Sequence, residues 1–187
     1  MSLAKAESRV PSPESRGTRI IGIDPGSLNT GVGVIDCDAS GKLTHVYHDT
    51  LSVGGADFPR RLKDIFDGVC AIIVAQQPAE AAIERVFMAR NADSALKLGQ
   101  ARGAAICALV SKGLEVHEFS ATEVKRSIVG GGRADKQQVQ HMIGVLLGLR
   151  EHVQADAADA LAIAIAHAHA RAGTARIGIP RKAWRRR

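Results

Sequence analysis

The sequence RIIGIDPGSLNTGVGVI covers residues 19–35 and consists of two apolar runs separated by a Pro-Gly turn. Residues 19–24 form a β-branched run, and residues 30–35 alternate small and apolar side chains, which predicts two strands joined by a tight turn. Residues 42–50 add a third strand to the same antiparallel meander. An acidic residue, Asp24, ends the first strand immediately before the turn.

The rest of the chain alternates helix and strand patterns. The first predicted helix is capped by Asp57 and has Pro59 in its first turn; a strand over 81–87 follows. A helix over 92–112, stopped by Gly113, is followed by a strand over 114–117. A short helix capped by Ser120 and Glu123 ends at Gly130, and the last helices are predicted over 135–148 and 154–170. This order predicts an α/β fold with a five-stranded mixed sheet and helices on both faces. It matches the order of elements in the ribonuclease H-like fold.

The positive charge of the 187-residue chain is concentrated near its end. The sequence has 25 basic and 19 acidic residues, a formal net charge of +6, which suggests a nucleic acid or an anionic surface as partner. Residues 171–187 hold seven basic residues and no acid, whereas residues 20–170 hold 14 basic and 17 acidic residues. We expect one α/β domain over residues 19–170, a disordered extension over residues 1–18, and a basic, disordered tail after residue 170.

Cysteine usage and hydropathy bear on the cellular setting. Cys37, Cys70 and Cys107 are widely spaced and form no CxxC pair, which argues against a disulfide framework and a zinc ribbon and favours a reducing, cytoplasmic setting. No apolar run approaches the roughly 18 residues of a membrane span, and the N-terminus lacks a signal-peptide pattern. We therefore expect no membrane partner.

Four carboxylates are candidates for a site. Asp24 ends the first strand, Glu84 interrupts an apolar strand, and Asp156 and Asp159 share one face of a helix otherwise built from Ala, Leu and Ile. Each has a structural alternative: a turn, a strand end facing water, or acids that complement a helix dipole. If they converge at one end of the sheet, ligation by oxygen alone selects Mg²⁺ or Mn²⁺. Two ions per site would hold a phosphodiester, which predicts metal-dependent phosphodiester hydrolysis.

The histidines are weaker candidates. His167 lies on the helical face of Asp156 but about 16 Å further along the axis, and His169 points to the opposite side. We treat both as ordinary helix-end residues.

Longer strings in the chain resemble the RuvC family of Holliday-junction resolvases. They are IIGIDPGSLNTGVGVI, AIERVFMARNADSALKLGQARG, VKRSIVGGGRADKQQVQHM and QADAADALAIAIAHAH, and the resemblance runs from about residue 20 to 170. It implies a ribonuclease H-like nuclease domain and a crossover junction endodeoxyribonuclease of DNA recombination and repair. Such an enzyme nicks two strands of like polarity symmetrically in four-way junction DNA, leaving 5′-phosphate and 3′-hydroxyl ends. A homodimer and a branch-migration motor complex are the implied partners.

The resemblance also assigns roles to side chains. It places the four carboxylates at the family's catalytic, metal-binding positions. Phe87 stands where the family has an aromatic that contacts bases at the crossover, and Lys125 and Lys136 match basic residues that handle the scissile strand. Arg126 and Arg133 flank the same glycine triplet and are further DNA-binding candidates. The alternatives are a core side chain for Phe87 and a solvated charged surface for the four basic residues.

Two other functions stay open on the sequence. One is a binding module for branched DNA that has lost catalysis, and the other is a ribonuclease H-like nuclease that acts on RNA or an RNA–DNA hybrid. An actin-like ATPase is disfavoured, because the chain is short for two such domains and has no GxxxxGK motif. Further basic residues that could extend a positive surface are Arg85, Arg90, Lys97 and Arg102.

Overall fold

The computed structural model describes residues 17–55, 57–86, 91–130, 135–149, 151 and 153–177. The strands are β1 (Thr18–Asp24), β2 (Asn29–Cys37), β3 (Leu43–Ser52), β4 (Glu80–Glu84) and β5 (Val116–Phe119); the helices are α1 (Phe58–Gln76), α2 (Ala92–Ser111), α3 (Ala121–Val129), α4 (Lys136–Leu147) and α5 (Ala155–Ile177). They form a sheet in the order β3-β2-β1-β4-β5, in which β1 pairs antiparallel with β2 and parallel with β4. The predicted five-stranded mixed sheet of a ribonuclease H-like fold is confirmed.

Two apolar cores cover the two faces of the sheet. Ile20 and Ala82 pack on one face with residues of α3, α4 and α5, and Ile21 packs on the other face with residues of α1 and α2. Successive side chains of a strand point to opposite faces, so Asp24 shares the face of Ile20 and Glu84 shares the face of Ala82. Both carboxylates therefore end parallel strands on the side covered by α5.

Two glycines let α5 lie directly on the sheet. A Cβ atom at Gly22 of β1 would overlap the main-chain oxygen of Ala160, and a Cβ at Gly31 of β2 would overlap the main-chain oxygen of Asp156. Glycine is required at such close backbone approaches. These positions thus set how near the N-terminal turn of α5 comes to the ends of β1 and β2.

The predicted helix caps are confirmed. Asp57 accepts a hydrogen bond from the main-chain N–H of Arg60 at 2.9 Å and caps α1. Ser120 and Glu123 form the capping box of α3, and that helix ends at Gly130 with φ of 72°. Because these bonds satisfy N–H groups that a helix leaves unpaired, they fix where each helix starts.

Two predicted strand boundaries were wrong. The strand predicted over residues 81–87 ends at Glu84, after which the guanidinium of Arg85 pairs with Glu123 of α3 at 2.5 Å. The strand predicted over residues 114–117 covers Val116–Phe119 instead. The main-chain N–H of Leu114 still donates to the main-chain oxygen of Leu109, which ends α2 and delays the strand.

The last helix is longer than predicted. It was expected to end at residue 170, but α5 continues to Ile177. Alanine and arginine, both strong helix formers, are frequent in this stretch and favour its continuation. Residues 1–16 and 178–187, which hold most of the expected extension and tail, lie outside the described residues. In the part of the chain that is described, no helix is long and apolar enough to cross a membrane.

Candidate active site

The predicted carboxylates meet at one end of the sheet. Asp24 and Glu84 are the last residues of the neighbouring parallel strands β1 and β4. Asp156 lies in the first turn of α5, and Asp159 follows on the same helical face. The approach of α5 at Gly31 brings these two acids over the strand ends. The structure thus brings together all four carboxylates that the sequence predicted.

The electrostatics of this cluster are those of crowded, half-buried acids. Burial raises the pKa of Asp24 to about 8, and the negative charges of Glu84, Asp159 and Asp156 add to this, while Lys136 opposes it. Burial also raises the pKa of Glu84, and the charge of Asp159 adds to the effect; a hydrogen bond with Asp24 opposes it. Asp24 therefore holds a proton near neutral pH in the absence of a counter-charge, and a cation bound among these oxygens would replace it.

One ammonium group already occupies part of this negative field. The Nζ of Lys136, the first residue of α4, lies 3.0 Å from Oδ2 of Asp159. This hydrogen bond is the main cause that raises the pKa of Lys136, and the charges of Asp156 and Asp24 contribute. A capping box between Asp135 and Gln138 fixes the start of α4. The lysine is thereby held at the edge of the carboxylate cluster.

A cavity of about 240 Å³ opens beside the carboxylates. Its lining residues are Glu84, Ala121, Val124, Lys125, Lys136, Val139, Asp159, Ala162 and Ile163. Two lysines, from α3 and α4, thus line the cavity together with two of the acids and several apolar side chains. An anionic group that enters this cavity would lie close to ammonium groups as well as to carboxylates.

The turn that follows Asp24 has its own support. Thr30 is fully buried, and its Oγ1 donates to the main-chain oxygen of Gly26 at 2.9 Å. The antiparallel register also places Asp24 opposite Gly31. These contacts close the turn after β1, so the carboxylate of Asp24 is available to the site.

The other DNA-binding candidates have different outcomes. Arg126 is exposed on α3 beside Lys125 but does not line the cavity. The predictions for Phe87 and Arg133 fall outside the described residues. Of the further basic residues, three are paired with acids: Arg85 with Glu123, Lys97 with Asp93 and Arg102 with Glu118.

The interpretation of His167 as an ordinary helix-end residue was wrong. Its side chain is fully buried, its Nε2 lies 2.6 Å from a carboxylate oxygen of Glu80, and its ring stacks on His117. Ligand atoms of these three residues lie within 4.8 Å of one another. The other oxygen of Glu80 pairs with Arg171 at 3.1 Å, so this network joins β4, β5 and α5 away from the four carboxylates. The sequence does contain a signal that His167 is buried: residues 160–166, which precede it in α5, are all apolar, and a helix that is apolar on every side is a buried one.

Comparison with known proteins assigns a family to this arrangement. The family model described as crossover junction endodeoxyribonuclease RuvC matches residues 20–167, which include all four carboxylates. A crossover junction endodeoxyribonuclease RuvC of Stenotrophomonas maltophilia (strain R551-3) is 59% identical over 172 residues, 91% of this chain and 99% of the relative. The protein of the same name from Xanthomonas campestris pv. campestris (strain B100) is 57% identical with the same coverage.

Solved structures agree with the sequence comparisons. The RuvC of T. thermophilus in complex with a Holliday junction substrate superposes with a TM-score of 0.79 at 32% identity, covering 84% of this chain and 97% of that one. The yeast mitochondrial Holliday junction resolvase Ydc2 has a TM-score of 0.66 at 16% identity, a likeness of fold alone. With high identity over almost the full length of its relatives, the chain belongs to the RuvC family of crossover junction endodeoxyribonucleases.

Proposed function

We propose that this nuclease resolves Holliday junctions in recombination and repair by metal-dependent hydrolysis at Asp24, Glu84, Asp156 and Asp159. The observation that carries the proposal is the convergence of these four carboxylates next to a cavity lined by lysines from α3 and α4. The RuvC of T. thermophilus, whose structure is similar to that of this chain, was solved in complex with a Holliday junction substrate. The substrate class assigned to this chain is therefore four-way junction DNA.

The donor set fits a hard divalent cation. The four groups offer only carboxylate oxygens, the ligands that Mg²⁺ and Mn²⁺ prefer. Burial first, and then the negative charges of three neighbouring acids, raise the pKa of Asp24, and Lys136 already places one cationic group on Asp159. We assign Mg²⁺, with Mn²⁺ as a substitute and two ions per site. When bound, the ions supply positive charge that stabilises the pentacovalent phosphate and lowers the pKa of the attacking water.

The chain's own residues position the DNA strand. Lys125 and Lys136 face the cavity, where their ammonium groups would bind the phosphates that flank the scissile bond. Arg126 would contact the backbone from the exposed side of α3. Phe87 keeps the DNA-binding role that the resemblance implies, and Arg133, which flanks the glycine triplet, stays a DNA-binding candidate. Water would attack the phosphorus without a covalent enzyme intermediate. The P–O3′ bond would break and the 3′ oxygen would leave and take up a proton, which gives 5′-phosphate and 3′-hydroxyl ends.

Symmetric nicking needs two equivalent sites, which a two-fold homodimer provides. The outer face of α2 is suited to such contact: Leu96 and Val110 are 67% and 57% exposed, and Gly103 and Cys107 lie between them on the same face. Exposed apolar stripes of this kind are typical of interaction surfaces. We therefore assign α2 to the contact between two copies of the chain.

A branch-migration motor complex as a further partner and a cytoplasmic location stay predictions.

Cleavage of defined substrates tests the proposal. The full chain is incubated with a synthetic four-way junction, a linear duplex and an RNA–DNA hybrid, each with Mg²⁺ or a chelator. We expect paired nicks at symmetric positions in the junction, with Mg²⁺ only, and we expect DNA ligase to seal them. Preferred cutting of the hybrid would favour the ribonuclease alternative, and junction binding without cutting would favour the non-catalytic module.

Asp24→Asn tests the assigned site directly. This variant keeps the shape of the side chain but removes a carboxylate that can bind metal, so it should bind the junction like the original protein and leave it uncut. Asp64→Asn, an exposed acid on α1, serves as the matched control and should cut normally. Equal cutting by both variants would overturn the assignment of the carboxylate cluster.

A further inference from the structure

Arg102 connects the helix layer opposite α5 to the end of β4. It lies in the middle of α2, and its side chain is only 20% exposed. Its Nε donates to the main-chain oxygen of Glu84 at 3.0 Å, and its Nη2 donates to Oε1 of Glu118 on β5 at 2.6 Å. The planar guanidinium thus holds two acceptors on neighbouring strands with two donors of fixed relative direction.

The acceptor on β4 belongs to a residue of the active site. Glu84 is the last residue of its strand, and its register partner on β5 is Phe119. The next residue, Arg85, donates its main-chain N–H to the oxygen of Phe119 at 2.7 Å. Arg102 therefore binds the chain at the residue where β4 ends and the segment toward residue 87 begins. Its contact acts on the backbone from which the Glu84 side chain projects.

Glu84 lies where the pairing of β4 with one of its neighbours has already ended. The register between β1 and β4 runs only to Ile83, so Glu84 has a register partner on β5 alone. A strand end held only by its ladder could shift or twist and carry the carboxylate away from the other acids. A hydrogen bond from a charged donor is among the stronger ones in proteins, which suits it to restrain this end.

We propose that Arg102 is a positioning residue for catalysis: it fixes the end of β4 and so holds the Glu84 carboxylate where metal and phosphate are bound. The inference rests on the proposed function, because it takes Glu84 to be a metal ligand. Arg102 itself touches neither metal nor DNA in this role. No local pattern indicates this role, since a lone arginine in a helix is typical of a surface charge.

The test compares Arg102→Gln with Lys63→Gln, which removes a cation of α1 from its exposed pair with Asp67. Junction affinity is measured in chelator, Mn²⁺ affinity by titration calorimetry without DNA, and cleavage in single turnover as a function of Mg²⁺. For Arg102→Gln we expect about a tenfold or larger loss of the cleavage rate, since small misplacements of reacting groups are costly. Mn²⁺ affinity should fall several-fold, and junction affinity should stay within twofold. Lys63→Gln should match the original protein in all three measurements.

A merely structural role of Arg102 would give a different result. It would lower the melting temperature but leave the cleavage rate and Mn²⁺ affinity of the folded variant unchanged, and this outcome would overturn the proposal. If Arg102→Gln does not fold, Arg102→Lys decides, because its single ammonium can serve one acceptor well but not both. Its rate should lie below the original, and a normal rate with normal Mn²⁺ affinity would overturn the inference.

Glu84→Gln separates this inference from the proposed function. Loss of cleavage in Glu84→Gln with normal cleavage in Arg102→Gln refutes the positioning role alone. Normal cleavage in Glu84→Gln refutes the assigned role of Glu84 and with it the premise of the inference.

Discussion

Asp24 shows how strongly the carboxylate cluster depends on a counter-charge. Its pKa is raised from about 3.8 to about 8, first by burial and then by three neighbouring acids. The folded chain therefore binds a proton that the unfolded chain releases near pH 4. Between these two values the folded state holds more protons, so its stability falls as the pH rises. The pKa of Glu84 is shifted in the same direction and adds to the effect.

We accordingly predict that the melting temperature of the protein in chelator falls as the pH is raised from 5 to 8. One proton of this kind contributes a slope of at most about 1.4 kcal/mol per pH unit. Asp24→Asn should flatten the dependence and melt at a higher temperature than the original protein at pH 8. The measurement is thermal unfolding at several pH values, with Asp64→Asn as the control that keeps the original slope. An Asp24→Asn variant with an unchanged slope would contradict the assigned electrostatics.

Among the helices and strands, those that have a local sequence signal could be predicted from the sequence. The RIIGID and TGVGVI runs, the Asp57 cap and the Ser120 capping box are local signals, and the structure contains the elements they predicted. The acids were identifiable because a carboxylate stands out in an apolar strand or helix. The end of β4 coincides instead with a tertiary contact, the pairing of Arg85 with α3, and the start of β5 with a main-chain hydrogen bond at the end of α2.

Other features of the site lay beyond any local pattern. The hydrogen bond from Arg102 to the end of β4 joins residues 18 positions apart, and the pair of His167 with Glu80 joins residues 87 positions apart. Neither follows from the spacing of residues, because each depends on how α2 and α5 sit against the sheet. The close approach at Gly31 is likewise visible only once α5 is placed.

The contact between α5 and β2 leads to a prediction at Gly31. Gly31→Ala would push against the main chain of Asp156 and shift the first turn of α5 away from the strand ends. Overpacking of this kind costs about 1–3 kcal/mol of stability. We expect the cleavage rate of the folded variant to fall about tenfold or more, because two catalytic acids move together.

Single-turnover cleavage below the melting temperature measures this loss separately from unfolding. Gly54→Ala is the matched control, since a Cβ there would meet no atom within 4 Å, and it should keep both stability and rate. Equal rates for Gly31→Ala and Gly54→Ala would show that the approach of α5 at this point does not set the geometry of the site.

For DNA binding by the whole molecule, the positions of the charged side chains matter more than the net charge. Residues 20–170 carry more acids than bases, yet the acids of the site are concentrated where α5 meets the sheet, and Lys125 and Lys136 border them. Bound cations would make this negative spot attractive to a phosphodiester. DNA affinity in this region would therefore depend on a few placed side chains and on metal, rather than on net charge.

The exposed apolar surface of α2 around Leu96 and Val110 leads to a prediction about the dimer. A double variant, Leu96→Glu and Val110→Glu, places two charges on the surface that we assign to the dimer contact. Burying an unpaired charge in an apolar contact is strongly unfavourable, so the variant should sediment as a monomer while each copy stays folded. A monomer carries one carboxylate cluster, and junctions should then receive uncoordinated single nicks in place of paired ones.

Val145→Glu is the control for this experiment, because Val145 is 61% exposed on α4, on the other side of the sheet. It adds a charge at a comparably exposed apolar residue and should leave a dimer that makes paired nicks. Sedimentation velocity gives the oligomeric state, and a supercoiled plasmid with an extruded cruciform distinguishes single from paired nicks, since paired nicks linearise it. If the α2 variant stayed dimeric, the two-fold contact would lie elsewhere on the molecule. If it became monomeric and still linearised the plasmid at the original rate, symmetric cutting would not require the dimer.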